Sequence, residues 1–169
     1  MSDIRGVALG AVEHPDTGAY LVQRLPGDRD GPHFHRFVGG GIHPGEPSGA
    51  ALEREFREEL GVTVEPGPAV CTVENLFTYE GVPHHEFAVV RVARFADASL
   101  YDRERFSGVD TGGVEYEAYW RTLADLRDGE APFFPEGVAD PLAAHDADDA
   151  APGEGVGHVV SPDPATDER

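Results

Sequence analysis

From Gly40 to Val62 the chain reads GGIHPGEPSGAALEREFREELGV. Ser48 to Leu60 is predicted to be a helix, with Pro47 near its start and Gly61 at the C-cap position. Helical spacing places Glu55, Glu58 and Glu59 on one face. Leu52, Phe56 and Leu60 form the adjacent stripe, expected to meet the core, while Glu53 and Arg57 fall outside. Carboxylates crowded in this way repel one another unless something cationic lies between them, and Arg54 and Arg57 each offset only part of that repulsion. Hard divalent cations such as Mg²⁺ take oxygen ligands, from carboxylates and substrate phosphates. A glutamate cluster beside the glycines at 39–41 therefore suits a metal-bound diphosphate. Taken alone, E-x-x-E-E in so acidic a chain equally suits a solvated helix face.

The wider spacing is more specific. Gly40 is followed by five residues, Glu46, seven residues, Arg54-Glu55-Phe56, one residue, Glu58-Glu59, one residue, and Gly61-Val62. This resembles the Nudix box at every fixed position, Phe56 standing where an aliphatic residue is commoner. Val73 to Gly81, His85-Glu86, and Tyr119-Trp120 followed by Leu123 and Leu126 are similar to a branch of the Nudix hydrolases. The similarity runs from about residue 5 to about residue 144.

The resemblance implies an α/β fold, a Nudix-type α/β/α sandwich with a central mixed β-sheet. It implies a Mg²⁺-dependent hydrolase, with Mn²⁺ as a substitute, that cleaves the diphosphate of a nucleoside diphosphate linked to a group X, or of a nucleoside triphosphate. Water would attack phosphorus. By position, Glu55, Glu58 and Glu59 would ligate the metal with help from the Gly40 carbonyl. Glu46 would pair with Arg54 and brace the loop against the helix. The general base would be Glu55 or Glu58. A further acid from outside the helix often completes such sites, and Glu86 and Glu115 are the candidates, with Glu117 on the face of Glu115 if that segment is a strand. Arg24 and Arg36 are candidates for phosphate contacts, and Phe34, Phe77 and Tyr79 for stacking on a base. Two rival readings are a Nudix-like nucleotide-binding regulatory module without turnover and an isopentenyl diphosphate isomerase. The first usually lacks box carboxylates that are present here, and Cys71 lies in no motif expected of the second.

Around the box, Ile4 to Val12 and Ala19 to Arg24 read as strands joined by His14-Pro15-Asp16-Thr17-Gly18, a hairpin pattern. His33 to Val38 reads as a short strand that Gly39-Gly40-Gly41 interrupts. Ala69 to Tyr79 and Glu86 to Phe95 are strand-like, with Glu80 to Pro83 as the turn; Ala96 to Gly113 reads as a long polar loop and Val114 to Arg121 as another strand. Thr122 and Asp125 have capping-box spacing, and a last short helix is expected near Glu136 to Ala144. The organisation expected is one Nudix domain over 1–145 and an acidic Gly/Pro/Ala-rich mobile tail over 146–169.

Composition limits the partners. The formal net charge is -19, from 32 acidic and 13 basic residues. All the basic residues are arginine. Such a surface repels nucleic-acid backbones and anionic membranes, so the expected partner is a small nucleotide diphosphate, with a homodimer compatible. Acidity without lysine resembles proteins of salt-accumulating halophiles, in which the charge reports the solvent. No apolar run approaches membrane-spanning length, and the start of the chain lacks a signal-peptide pattern, so a cytoplasmic location is expected. The histidines at 33, 35, 43, 84 and 85 lack nearby cysteines and read as pocket-lining or exposed rather than as zinc ligands.

Overall fold

The computed structural model describes residues 3–28, 31–147 and 157–161. Its strands are β1 (Ile4–Val12), β2 (Tyr20–Leu25), β3 (Phe34–Gly41), β4 (Val64–Tyr79), β5 (Val82–Phe95), β6 (Arg105–Val109), β7 (Glu115–Arg121) and β8 (Gly157–Ser161). They form one mixed sheet in the order β6-β7-β2-β3-β1-β5-β4-β8. The helices are α1 (Ser48–Leu60), α2 (Leu123–Asp128) and α3 (Ala139–Ala147).

Strand alternation sorts the core into two layers. On one face Ala51, Leu52 and Phe56 of α1 pack on Ala8, Val12, Leu21 and Val38. On the other, Leu126 of α2 and Leu142 of α3 cover Val7, Leu9, Val22 and Phe37. The arrangement is the expected α/β/α sandwich. Fully burying side chains such as Leu52 and Phe56 contributes about 2–3 kcal/mol each, which fixes α1 on the sheet. Gly61 ends α1 in the left-handed region at φ 67°, its N–H bonded to the Arg57 carbonyl at 3.1 Å.

β3 is the strand that organises the site. Its first half pairs with β2 (Leu25↔Phe34 to Val22↔Phe37) and its second half with β1 (Gly10↔Val38 to Val7↔Gly41). The glycines at 39–41 therefore continue the strand rather than interrupt it. Gly39 has φ 153°, and a Cβ there would lie 2.0 Å from the Ala8 carbonyl oxygen, so only glycine lets the strand cross β1 this closely.

Several local expectations are corrected. β1 and β2 are not a paired hairpin; one isolated bridge joins Glu13, just past β1, to Tyr20, and β3 inserts between the two strands. The segment 96–113 is not a loop throughout: it holds a 3₁₀ turn (Ala98–Asp102) and β6, whose Phe106 and Gly108 are buried and whose other positions are exposed. A short, half-polar edge strand leaves little apolar signal. β4 and β5 also extend beyond their apolar runs, leaving Glu80-Gly81 as the whole turn, both at positive φ. The Thr122–Asp125 capping box is present. Of the tail expected from residue 146, much lies outside the described residues; Gly157–Ser161 is a strand, parallel to β4. Among the described residues no helix is long and apolar enough to cross a membrane.

Candidate active site

Arg54 is the hub. Its Nε and Nη2 donate to the two oxygens of Glu46 at 2.9 and 3.0 Å, a bidentate pair. Nη2 also donates to the Gly41 carbonyl at 2.7 Å, and Nη1 donates to Glu55 Oε1 at 2.7 Å and Glu58 Oε2 at 3.2 Å. The backbone N–H of His43 adds a bond to Glu46 at 3.0 Å. One guanidinium thus ties the loop after β3 to α1. Its hydrogen bonds, with the His43 N–H, hold the Glu46 carboxyl down to about 2, and Arg54 itself is held well above its ordinary value.

The three carboxylates of α1 sit in different surroundings. Glu55 is 2% exposed, and its Oε2 is buried without a hydrogen-bond partner. It lies against Gly40: a Cβ at that position would come within 2.5 Å of the Glu55 carboxyl carbon. The Glu58 side chain is 55% exposed and is held by Arg54. Glu59 is 9% exposed and accepts a 2.7 Å bond from the Tyr116 hydroxyl. Burial pushes the Glu59 carboxyl up to about 7, Glu55 and Asp110 adding to the rise, while the Tyr116 bond and Arg36 oppose it. Among the described residues no three His, Cys, Asp or Glu side chains converge on one point; Arg54 holds Glu58 and Tyr116 holds Glu59. The donor chemistry nevertheless fits a hard cation: a buried carboxylate oxygen without a partner, and a glycine whose missing side chain lets that carboxylate lie against the backbone of β3.

The proposed additional acids stand elsewhere. Glu115 and Glu117 flank Tyr116 on β7, and alternation turns Tyr116 and Ala118 to the α1 layer and the two glutamates away from it. Glu117 instead accepts from Arg105 at 3.2 Å. Arg24 pairs in register with Glu117 and shares the sheet face of Val22, opposite α1. Its Nη2 lies 3.3 Å from His33 Nδ1. Glu86 is buried beside Arg5, 3.8 Å away, and not among the carboxylates gathered by Arg54.

Glu86 lines a cavity of about 370 Å³ together with Arg36, Tyr79, Phe34, Phe77 and Phe134. The residues considered for base stacking are therefore brought together, with Arg36 on the same cavity wall. A wider cavity of about 710 Å³ is lined by Arg24, His33, Glu115 and Glu117 and is more polar. The aromatic one offers flat apolar faces beside single charges, the usual composition of a small-molecule site. Sequence reasoning missed Tyr116, Arg5 and Phe134. Cys71 is fully buried in the layer opposite α1, where burial pushes its thiol up to about 11, so it takes no part here.

On that opposite face His35 Nε2 lies 2.7 Å from the Tyr119 hydroxyl. Burial, with Arg121, His33 and Arg24 adding to it, pushes the imidazole down to about 4. Between pH 6.5 and 4 the unfolded chain takes up this proton and the folded chain does not, so stability falls as pH falls through that window. The expected loss from pH 7 to pH 5 is about 2 kcal/mol. Urea denaturation of His35→Gln at the two pH values checks it: the variant should show a smaller loss than the unmodified chain, and equal losses would refute the assignment.

A family model of the NUDIX domain matches residues 4–140. The nucleoside triphosphatase NudI of Enterobacter sp. (strain 638) is 45% identical over 51 residues, 30% of this chain and 36% of that protein. The match thus spans about a third of the curated relative. Among solved structures, the MutT protein of Methanosarcina mazei Go1 superposes with a TM-score of 0.59 at 18% identity, over 89% of this chain and 98% of that one. The E. coli ORF135 protein gives 0.56 at 22% identity, over 90% and 96%. An ADP-ribose pyrophosphatase of Streptococcus suis 89-1591 gives 0.53 at 16% identity, over 92% and 98%. These likenesses are of fold.

Proposed function

The chain belongs to the NUDIX domain family, and from that premise we propose that it is a Mg²⁺-dependent pyrophosphohydrolase of a nucleoside diphosphate derivative or a nucleoside triphosphate. The observation that carries this reading is the unpartnered, buried Oε2 of Glu55 beside Gly40. A buried carboxyl oxygen left without a partner costs about 1–3 kcal/mol, an arrangement that suits a function requiring a cation there. Glu55, Glu58, Glu59 and the Gly40 carbonyl would hold Mg²⁺ or Mn²⁺. When bound, the ion polarises the diphosphate and acidifies a water.

The chain's own residues supply the rest. Arg54 engages Glu55 through Oε1, leaving Oε2 for the ion. Glu58 is exposed and held by one 3.2 Å bond, and it or Glu55 would take a proton from the attacking water. Arg36, on the wall of the aromatic cavity, would bind phosphate, and Phe34, Phe77 and Tyr79 would receive the base.

The test is a panel of nucleoside triphosphates and nucleoside diphosphate derivatives incubated with Mg²⁺ or Mn²⁺ at low and high salt, with products resolved by chromatography. Metal-dependent release of a nucleoside monophosphate or phosphorylated product is expected. Saturable nucleotide binding without product under every condition would favour a binding module and overturn the hydrolase.

A further inference from the structure

We infer that Tyr116 is a positioning residue for Glu59, setting the carboxylate that the reading above places at the divalent ion; the inference rests on that reading. The two residues lie 57 positions apart, are both buried, and are joined by the 2.7 Å hydrogen bond from the Tyr116 hydroxyl to Glu59 Oε2.

The phenol is itself held. Its ring occupies the space that a side chain at residue 108 of β6 would take: a Cβ there would lie 2.5 Å from Tyr116 Cζ and 2.8 Å from Leu60 Cδ2. β6, β7 and α1 therefore meet around this ring, and the absence of a side chain at Gly108 lets the hydroxyl reach the helix. A glutamate side chain has several rotatable bonds, and one hydrogen bond from a ring fixed by packing selects among its rotamers.

The type of partner also differs along the helix. Glu55 and Glu58 are held by a guanidinium, Glu59 by a neutral phenol. A second cation at this point would oppose an incoming divalent ion by like-charge repulsion, whereas a phenol orients the carboxylate without competing in charge. Partners of this kind behind a metal ligand typically govern metal affinity about 10- to 100-fold.

The experiment is calorimetric titration of the full chain with Mn²⁺, alongside thermal unfolding, for Tyr116→Phe, Tyr119→Phe and Glu59→Gln. Phenylalanine preserves the ring packing. Tyr119 is the control, because its hydroxyl makes a bond of the same 2.7 Å length, to His35 on the opposite face. Tyr116→Phe is expected to weaken Mn²⁺ binding about tenfold or more, while Tyr119→Phe stays within about twofold of the unmodified chain. If Tyr116→Phe keeps Mn²⁺ affinity within twofold while Glu59→Gln loses it, the positioning role is overturned and the metal reading stands. If Glu59→Gln also leaves affinity unchanged, Glu59 is not a ligand and the underlying reading fails.

Discussion

Replacing Glu55 with glutamine is expected to reduce metal-dependent turnover by about three orders of magnitude while shifting the melting temperature far less than the loss of Arg54 does. The two effects differ for one reason. Glutamine keeps the side-chain shape and a carbonyl that can accept from Arg54 Nη1, the link now made through Oε1. It replaces Oε2, the buried oxygen without a partner, with an amide NH2 that cannot ligate a cation. Stability and function are then largely separated at a single atom. Steady-state kinetics with thermal unfolding checks both halves. Unchanged turnover would remove Glu55 from the machinery.

Arg54→Met has a different profile, a loss of both stability and activity. The substitution keeps much of the side-chain length but deletes the bonds to Glu46, Glu55, Glu58 and the Gly41 carbonyl together. Removing one partner from a largely buried charge network leaves the others uncompensated, which costs about 3 kcal/mol. For a domain of this size that corresponds to a fall in melting temperature of roughly 10 °C. Arg54→Lys should recover little, since an ammonium cannot reproduce the two-pronged contact with Glu46 while also reaching Gly41 and Glu55. A melting temperature equal to that of the unmodified chain would contradict the bracing role.

What the sequence allowed to be read follows from how local each feature is. The bounds of α1 match the expected Ser48 to Leu60, because the apolar stripe, the early proline and the terminal glycine all lie within the segment. The placement of Glu55, Glu58 and Glu59 on that helix was legible for the same reason. Tyr116 was not, since which residues of Glu115-Tyr116-Glu117 face α1 depends on the register of β7 against β2, a relation spanning nearly a hundred residues. Reading the two glutamates as the inward pair placed the acids on the wrong face, and the residue between them makes the contact. The β1–β2 hairpin failed similarly: adjacent strands joined by a turn pattern still part when a third strand, β3, pairs with both. The aromatic cavity joins Phe34, Phe77 and Phe134 from three distant segments, and no local pattern announces it.

A divalent ion held by the carboxylates of α1 is tested most directly by an anomalous-difference map from crystals soaked in Mn²⁺. The predicted result is a peak beside Glu55 Oε2 and the Gly40 carbonyl, with Glu58 or Glu59 among its neighbours. A peak confined to other acidic groups, such as Glu115 and Glu117 on the opposite face, with none beside Glu55, would contradict it.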